Sequence, residues 1–340
     1  MRILVTGSTG FIGGALCRAL IDQGHHVIAF HRSSSTLKLL DDLPVEHVVG
    51  NVTQPETLLP AMEDVEVVFH LASVAGIQNQ PGRLYTTIVE GTRNVLHAAQ
   101  RTGVKRVVHT SSVFALGVPE KPHVKQQEPA RLDESHTWNL PPDSYPYGYA
   151  KYLAEMEVQK AVAKGLDVVI VNPCLVIGPG DIYRQSSSWI VQVSRQRLPA
   201  IMEGGINVVH IADVVTGHLA ALKSGMCGVR YILAGENISY IQFVKKIAAI
   251  AGVPAPALVL PSGLVRSLSN PLRWFQSFIP LQMDLHLLHL AGHYLYYTSR
   301  KAQEQLNLPA PQTADRAISD AYRWFIQMGT IPAKKQPRRF

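Results

Sequence analysis

Short apolar runs alternate along this chain with longer stretches in which apolar positions recur every three or four residues. Ile3-Leu4-Val5 is the first run, the turn Thr6-Gly7-Ser8-Thr9-Gly10-Phe11-Ile12-Gly13 follows, and Ala15, Leu16, Ala19 and Leu20 then fall at helical spacing. Val27 to Phe30, Val45 to Val49, Val65 to Leu71, Val104 to His109 and Leu166 to Val171 predict five more strands. Helices are predicted over roughly 84–100 and 147–164, and a long loop over 117–144, which holds five prolines and no clear period. Strands alternating with helices predict an α/β fold, a doubly wound parallel sheet. After Asn172-Pro173 the pattern loosens into a strand and helix over 207–223, a strand over 229–233, and helical pieces broken by proline.

The first turn has a chemical use. Gly7 permits a tight reversal at the strand end, Gly10 lets backbone approach a phosphate, and Gly13 lets the helix pack closely on the sheet. The unpaired N–H groups at the helix start favour an anion, here a dinucleotide pyrophosphate bordered by Thr9, Phe11 and Ile12. The expected organisation is a dinucleotide-binding domain from 1–173 and 207–234. A smaller, interleaved and mostly helical substrate lobe takes 174–206 and 235–330, and a basic tail 331–340.

Composition narrows the class. A length of 340 residues with 46% apolar content suits about two domains and a large core. The first apolar run is already a strand of the fold, so no secretory signal is expected and the protein is expected to be cytoplasmic. Cys17, Cys174 and Cys227 are far apart, without metal-ligand spacing, and are expected to be small buried hydrophobes; no metal is expected. The net charge of +7 favours anionic ligands, but no basic stripe with interleaved aromatics marks a nucleic-acid surface. The densest basic cluster, Lys334, Lys335, Arg338 and Arg339, reads as a solvated tail. The longest uncharged run, Ile247 to Val265, contains Pro254, Pro256 and Pro261 and is no spanning helix, so no integral membrane segment is expected.

Tyr147 and Lys151 stand four residues apart at the start of a predicted helix, on one face of it. An ammonium beside a phenol favours the phenolate, so Lys151 is expected to lower the Tyr147 pKa and fit it to exchange a proton with a carbonyl or alcohol oxygen. Ser112 ends the fifth strand about 35 residues upstream, at the sheet edge where ligands of α/β folds bind, and offers a hydroxyl to orient that oxygen. A serine after a strand is also an ordinary cap, and Tyr-x-x-x-Lys is common. The glycine turn, Ser112 and the Tyr147/Lys151 pair in that order are specific.

With these motifs in hand, the chain resembles the extended short-chain dehydrogenases/reductases along nearly its whole length. The resemblance is carried by Thr6-Gly7-x-x-Gly10-x-x-Gly13, His70-Leu71-Ala72, Glu90-Gly91-Thr92-x-Asn94-Val95, Val107 to Ser112, Tyr147-x-x-x-Lys151 and Asn172-Pro173. The subgroup is similar to NAD-dependent epimerase/dehydratase-type proteins of the dihydroflavonol reductase, 3β-hydroxysteroid dehydrogenase and hopanoid-associated epimerase kind. It implies a Rossmann domain in which Tyr147 exchanges the proton, Lys151 bonds the nicotinamide ribose and Ser112 orients the substrate oxygen. Leu71, Ala72, Ser73 and Pro173 would border the cofactor, Asn51 and Val52 the adenine, and a homodimer would form through helices 84–100 and 147–164. Ile88 departs from the family's Asn three residues before the Gly of its Asn-x-x-Gly-Thr motif, and isoleucine has no hydrogen-bonding group to serve a proton relay there. Asn51 stands where the family favours Asp, and an amide still bonds an adenine edge.

NAD selectivity calls for an acid at the end of the second strand, where this chain reads His31-Arg32-Ser33-Ser34. Arg32, helped by the serines and His31, suits a 2′-phosphate, so NADP(H) is preferred and NAD(H) is the alternative. The apolar stretch 264–297, with Trp274, Phe275, Phe278, Leu281, Met283, Leu285, Leu287 and Leu288, suits a hydrophobic carbonyl compound better than a nucleotide sugar. The expected function is therefore an NADP(H)-dependent oxidoreductase interconverting a ketone or aldehyde and an alcohol. Alternatives are a nucleotide-sugar epimerase/dehydratase with tightly bound NAD and a non-catalytic dinucleotide-sensing protein.

Overall fold

The structure, a computed structural model, describes residues 1–74, 81–119, 128–184, 186–267 and 290–332. Its strands begin with β1 (Arg2–Thr6), β2 (His26–His31), β3 (Glu46–Val49), β4 (Val67–His70), β5 (Arg106–Thr110), β6 (Arg131–Leu132) and β7 (Val168–Pro173). They continue with β8 (Leu175–Ile177), β9 (Ile201–Met202), β10 (Gly205–His210), β11 (Arg230–Leu233), β12 (Glu236–Ser239), β13 (Val259–Leu260) and β14 (Tyr294–Tyr297). The helices are α1 (Phe11–Asp22), α2 (Leu58–Ala61), α3 (Pro81–Tyr85), α4 (Gly91–Thr102), α5 (Pro146–Val162), α6 (Ser188–Ser194), α7 (Ile211–Ser224) and α8 (Tyr240–Ala251), followed by Arg300–Leu306 and Ala314–Gln327.

Seven strands form one parallel sheet in the order β11-β7-β5-β4-β1-β2-β3. Apart from the edge strand β3, whose residues are alternately half-buried and exposed, their apolar runs are continuous because both faces are covered. Leu4, Ile28, Val68, Val107 and Ile170 share one core with Val95 and Ala99 of α4 and Val158 of α5. Ile3, Val5, Ala29, Val108 and Val169 point the other way, onto Leu16 and Leu20 of α1 and Val214 of α7. The reversal of strand order beside β1 puts the ends of β1, β2, β4 and β5 around one crevice, where a doubly wound sheet takes its ligand.

The predicted helix 84–100 is two segments, α3 and α4, joined by a π-helical turn at Thr86–Glu90. The strand at 205–210, within the segment 207–234 assigned to the dinucleotide-binding domain, belongs to a second sheet of order β12-β10-β14-β6, with β8 also on β10. An apolar run shows that a strand forms, not which sheet accepts it. The loop predicted over 117–144 contains β6 of that sheet. Beneath it Ile190, Phe243, Ile247, Ile318 and Phe325 form a separate core, and a Ser239/Gln242 capping box starts α8.

Cys17 and Cys174 are buried as expected, and burial pushes the Cys17 thiol up to about 12; Cys227 is exposed, because it sits in the turn between α7 and β11. Trp274, Phe275, Phe278, Leu281, Met283, Leu285, Leu287, Leu288 and the basic tail lie outside the described residues. Of the remaining apolar stretch, Leu290, Leu295 and Tyr297 are core. Among the described residues no helix is long and apolar enough to cross a membrane.

Candidate active site

The glycine turn is built for close approach. Gly7 has φ +69°, and a Cβ there would lie 2.8 Å from the Ala72 nitrogen. A Cβ on Gly13 would lie 2.2 Å from the Gly7 carbonyl oxygen, so the start of α1 rests directly on the turn. Gly10 donates its N–H to that oxygen at 3.0 Å and sits extended at the N-cap, with no side chain capping the N–H groups of the first turn. Phe11, Ile12 and Gly13 therefore present backbone donors at the positive end of the helix dipole. Thr9 is buried beside them. This cradle fits a dinucleotide pyrophosphate.

Around it the strand ends place the remaining candidates. Arg32 is exposed just past β2. His31 is buried instead, its Nδ1 3.1 Å from the Arg32 carbonyl oxygen and its Nε2 3.2 Å from His47 Nδ1, so Arg32 is the freer group for an anion. Asn51 Oδ1 accepts from the Thr53 N–H at 3.1 Å, closing a local turn. Val52 is held under that turn by Asn94, whose amide donates to the Val52 oxygen at 2.9 Å. Leu71 and Ala72 follow β4, and the Ala72 N–H donates to Thr6 Oγ1 at 3.2 Å. Pro173 closes β7 opposite Leu233.

Ser112, Tyr147 and Lys151 come together at the end of β5. Ser112 is the N-cap of a short turn, accepting from the Phe114 N–H at 3.3 Å, and it also hydrogen-bonds the Tyr147 hydroxyl, as does the exposed Ser73. Tyr147 is half-buried on the first turn of α5, with its ring against Phe114 and Tyr145. Lys151 is 3% exposed and donates from Nζ to the Thr110 oxygen at 2.9 Å.

The expected lowering of the Tyr147 pKa by Lys151 is not found. Burial pushes the phenol up to about 12, and the opposing hydrogen bonds come from Ser112 and Ser73. Burial also brings the Lys151 ammonium down to about 8, against the pull of Glu155. Desolvation outweighs the pairing that spacing alone suggested.

A buried polar layer beneath the site was not legible in the motifs. Thr92 donates to the Ile88 oxygen at 2.6 Å and so accepts from His70 Nε2 at 3.0 Å, while Thr6 donates to His70 Nδ1 at 2.8 Å. Burial lowers His70 to about 3 and His109, 5.3 Å from it ring to ring, well below its usual value. Ile88, where the family has Asn, is 1% exposed and packs with Ala150 and Ala154 of α5. Glu155, Asn172 and Arg230 form a second polar group, bonded to one another. The signal for it was polar residues at positions whose strand and helix neighbours are apolar. Among the described residues no three His, Cys, Asp or Glu side chains gather as a metal site.

The pattern of the NAD dependent epimerase/dehydratase family matches residues 3–234. The putative dihydroflavonol 4-reductase of Synechocystis sp. is 34% identical, over 96% of this chain and 95% of its own. Sterol demethylase protein B of Methylococcus capsulatus is 33% identical, over 97% of this chain and all of its own. The crystal structure of gox2253 superposes with a TM-score of 0.83 at 33% identity, covering 97% of this chain and 99% of that one. With a nucleotide-binding turn, a parallel seven-stranded sheet and these relatives, the chain belongs to the NAD dependent epimerase/dehydratase family and is an oxidoreductase of the extended short-chain dehydrogenase/reductase type, whose cofactor is a nicotinamide dinucleotide.

Proposed function

We propose that the protein is an NADP(H)-dependent reductase that interconverts a ketone or aldehyde and an alcohol on a small, apolar substrate. The observation that carries the reading is the meeting of Ser112, Tyr147 and Lys151 beside the glycine cradle, with Arg32 and no acid at the end of β2. Ser112 Oγ holds the substrate oxygen, the Tyr147 hydroxyl passes it a proton, and the Lys151 ammonium orients the ribose next to it. The bound nicotinamide supplies or takes up the hydride at the carbon. Gly7, Gly10, Phe11, Ile12 and Gly13 hold the pyrophosphate, with Thr9, Leu71, Ala72, Ser73 and Pro173 along the cofactor and Asn51 and Val52 at the adenine. The names of the two relatives, a reductase of a flavonoid and a protein of sterol demethylation, support a carbonyl on an apolar ring compound.

Titration with NADPH, NADH and their oxidised forms tests the cofactor. Empty protein that binds NADP(H) more tightly is expected, and Arg32→Ser should weaken NADPH about tenfold or more while leaving NADH unchanged. NAD retained through purification, or a preference for NADH, would move the alternative of sugar epimerisation ahead. The same reading includes a homodimer through α4 and α5, which pack together and carry Tyr149 and Tyr152 in a stacked pair. A dimer is expected by light scattering, and a monomer at micromolar concentration removes it.

A further inference from the structure

Glu155 has no part in the chemistry described so far, yet it is 2% exposed and sits one turn past Lys151 on α5. Its Oε1 accepts from Ser111 Oγ at 2.5 Å and from Asn172 Nδ2 at 2.7 Å, and its Oε2 meets Arg230 at 3.1 Å. The Asn172 amide also donates to the Ser112 oxygen at 2.9 Å. Thr110, Ser111 and Ser112 are thus tied to one helix at three successive positions: Thr110 by Lys151, Ser111 by Glu155, and Ser112 by Asn172, which Glu155 holds. Arg230 extends the tie outward, donating to the Glu134 oxygen at 3.1 Å and the His136 oxygen at 2.8 Å.

We propose that Glu155 is a positioning residue, which through Ser111, Asn172 and Arg230 fixes the end of β5 against α5 and so sets Ser112 relative to Tyr147 and Lys151. The proposal rests on the reading of these three as the reacting group. Its electrostatic consequence follows from the neighbours of Lys151. His70 and His109, on β4 and β5, are kept neutral by burial, and the Tyr147 phenol is protonated. Arg230 lies on the far side of Glu155, paired with it. Among the described residues the charge that favours the Lys151 ammonium against burial is Glu155. Removing it lowers the Lys151 pKa.

The test is Glu155→Gln, which keeps the shape and removes the charge. In cofactor-free protein carrying 15N-lysine, with the Lys151 signal assigned by its loss in Lys151→Met, the titration midpoint is expected to move to lower pH by about one unit or more. In turnover, kcat is expected to fall about tenfold or more, with the alkaline limb of its pH profile displaced the same way and NADPH affinity within about threefold of wild type. A midpoint and pH profile that stay in place overturn the proposal, whatever the loss of melting temperature. If Glu155→Gln does not fold, Ser111→Ala removes one bond and keeps the charge: kcat should fall several-fold with the titration unmoved, and an unchanged kcat overturns the tie. A titration that moves in Glu155→Gln, with a wild type that turns over no carbonyl, would refute the reaction and leave the link between Glu155 and Lys151 standing.

Discussion

Tyr147→Phe is expected to cut turnover by about a hundred- to ten-thousand-fold, the range of a positioned general acid or base, and to leave cofactor binding intact. The substitution removes one oxygen. The ring stays packed, with its centroid 6.4 Å from Phe114 and 6.1 Å from Tyr145, so the start of α5 has no reason to move. The glycine cradle lies on a different turn and does not use this hydroxyl. What is lost is the proposed proton source, since a phenol pushed up to about 12 is protonated at every working pH and is held in place by Ser112 and Ser73. In the direction of carbonyl reduction, activity should also decline as pH rises through about 8, where Lys151 gives up its ammonium. Steady-state kinetics on a panel of apolar ketones, together with fluorescence titration by NADPH, check both halves. Turnover within a few-fold of wild type would remove Tyr147 from proton transfer, and equal loss of cofactor binding would make it a structural residue. Intact turnover is also what the alternative of a non-catalytic sensor cannot give.

The inner strands of the large sheet are legible because each is buried on both faces and reads as an unbroken apolar run, whereas the edge strand β3, Glu46-His47-Val48-Val49, alternates between half-buried and exposed residues. The glycine turn was legible for a different reason: backbone approach to a phosphate permits few residues other than glycine. Side-chain chemistry was read less completely. Helical spacing put Tyr147 and Lys151 on one face, but it carries no information on desolvation, and burial is what decides the direction of both pKa shifts. The polar residues Thr6, His70, Thr92, Glu155, Asn172 and Arg230 come from six strands and helices far apart in the chain, so no local pattern contains them. The sheet that takes β10 is not legible for a similar reason, since its partners β12 and β14 come later in the chain. The exposed Cys227 shows the limit of residue type as a guide to burial when a turn intervenes.

Gly13→Ala should abolish dinucleotide binding, with a loss of affinity of about a hundredfold or more for NADPH and NADH alike. The added Cβ would lie 2.2 Å from the Gly7 oxygen and 2.9 Å from the Gly7 carbonyl carbon, both backbone atoms that no rotamer change can remove. Either α1 shifts away from the sheet or the turn opens. Both break the 3.0 Å bond from Gly10 to Gly7 and displace the N–H groups proposed to hold the pyrophosphate. Forcing a methyl into such a contact also costs about 1–3 kcal/mol of stability, so the melting temperature should fall in the same variant. Its neighbour is the control. A Cβ on Gly14 meets the Leu39 Cβ at 2.9 Å, in the turn that follows β2, so relief comes from a shift of that surface turn, which lies outside the cradle, and not from a rotamer change. Gly14→Ala is therefore expected to lose less than about tenfold in affinity, on the smaller cost of a contact that can relax. Two adjacent glycines of one helix should then separate cleanly in a fluorescence titration. Gly13→Ala binding NADPH as the wild type does would show that α1 is not seated on the turn as described, and the assignment of the cradle to the pyrophosphate would fall with it.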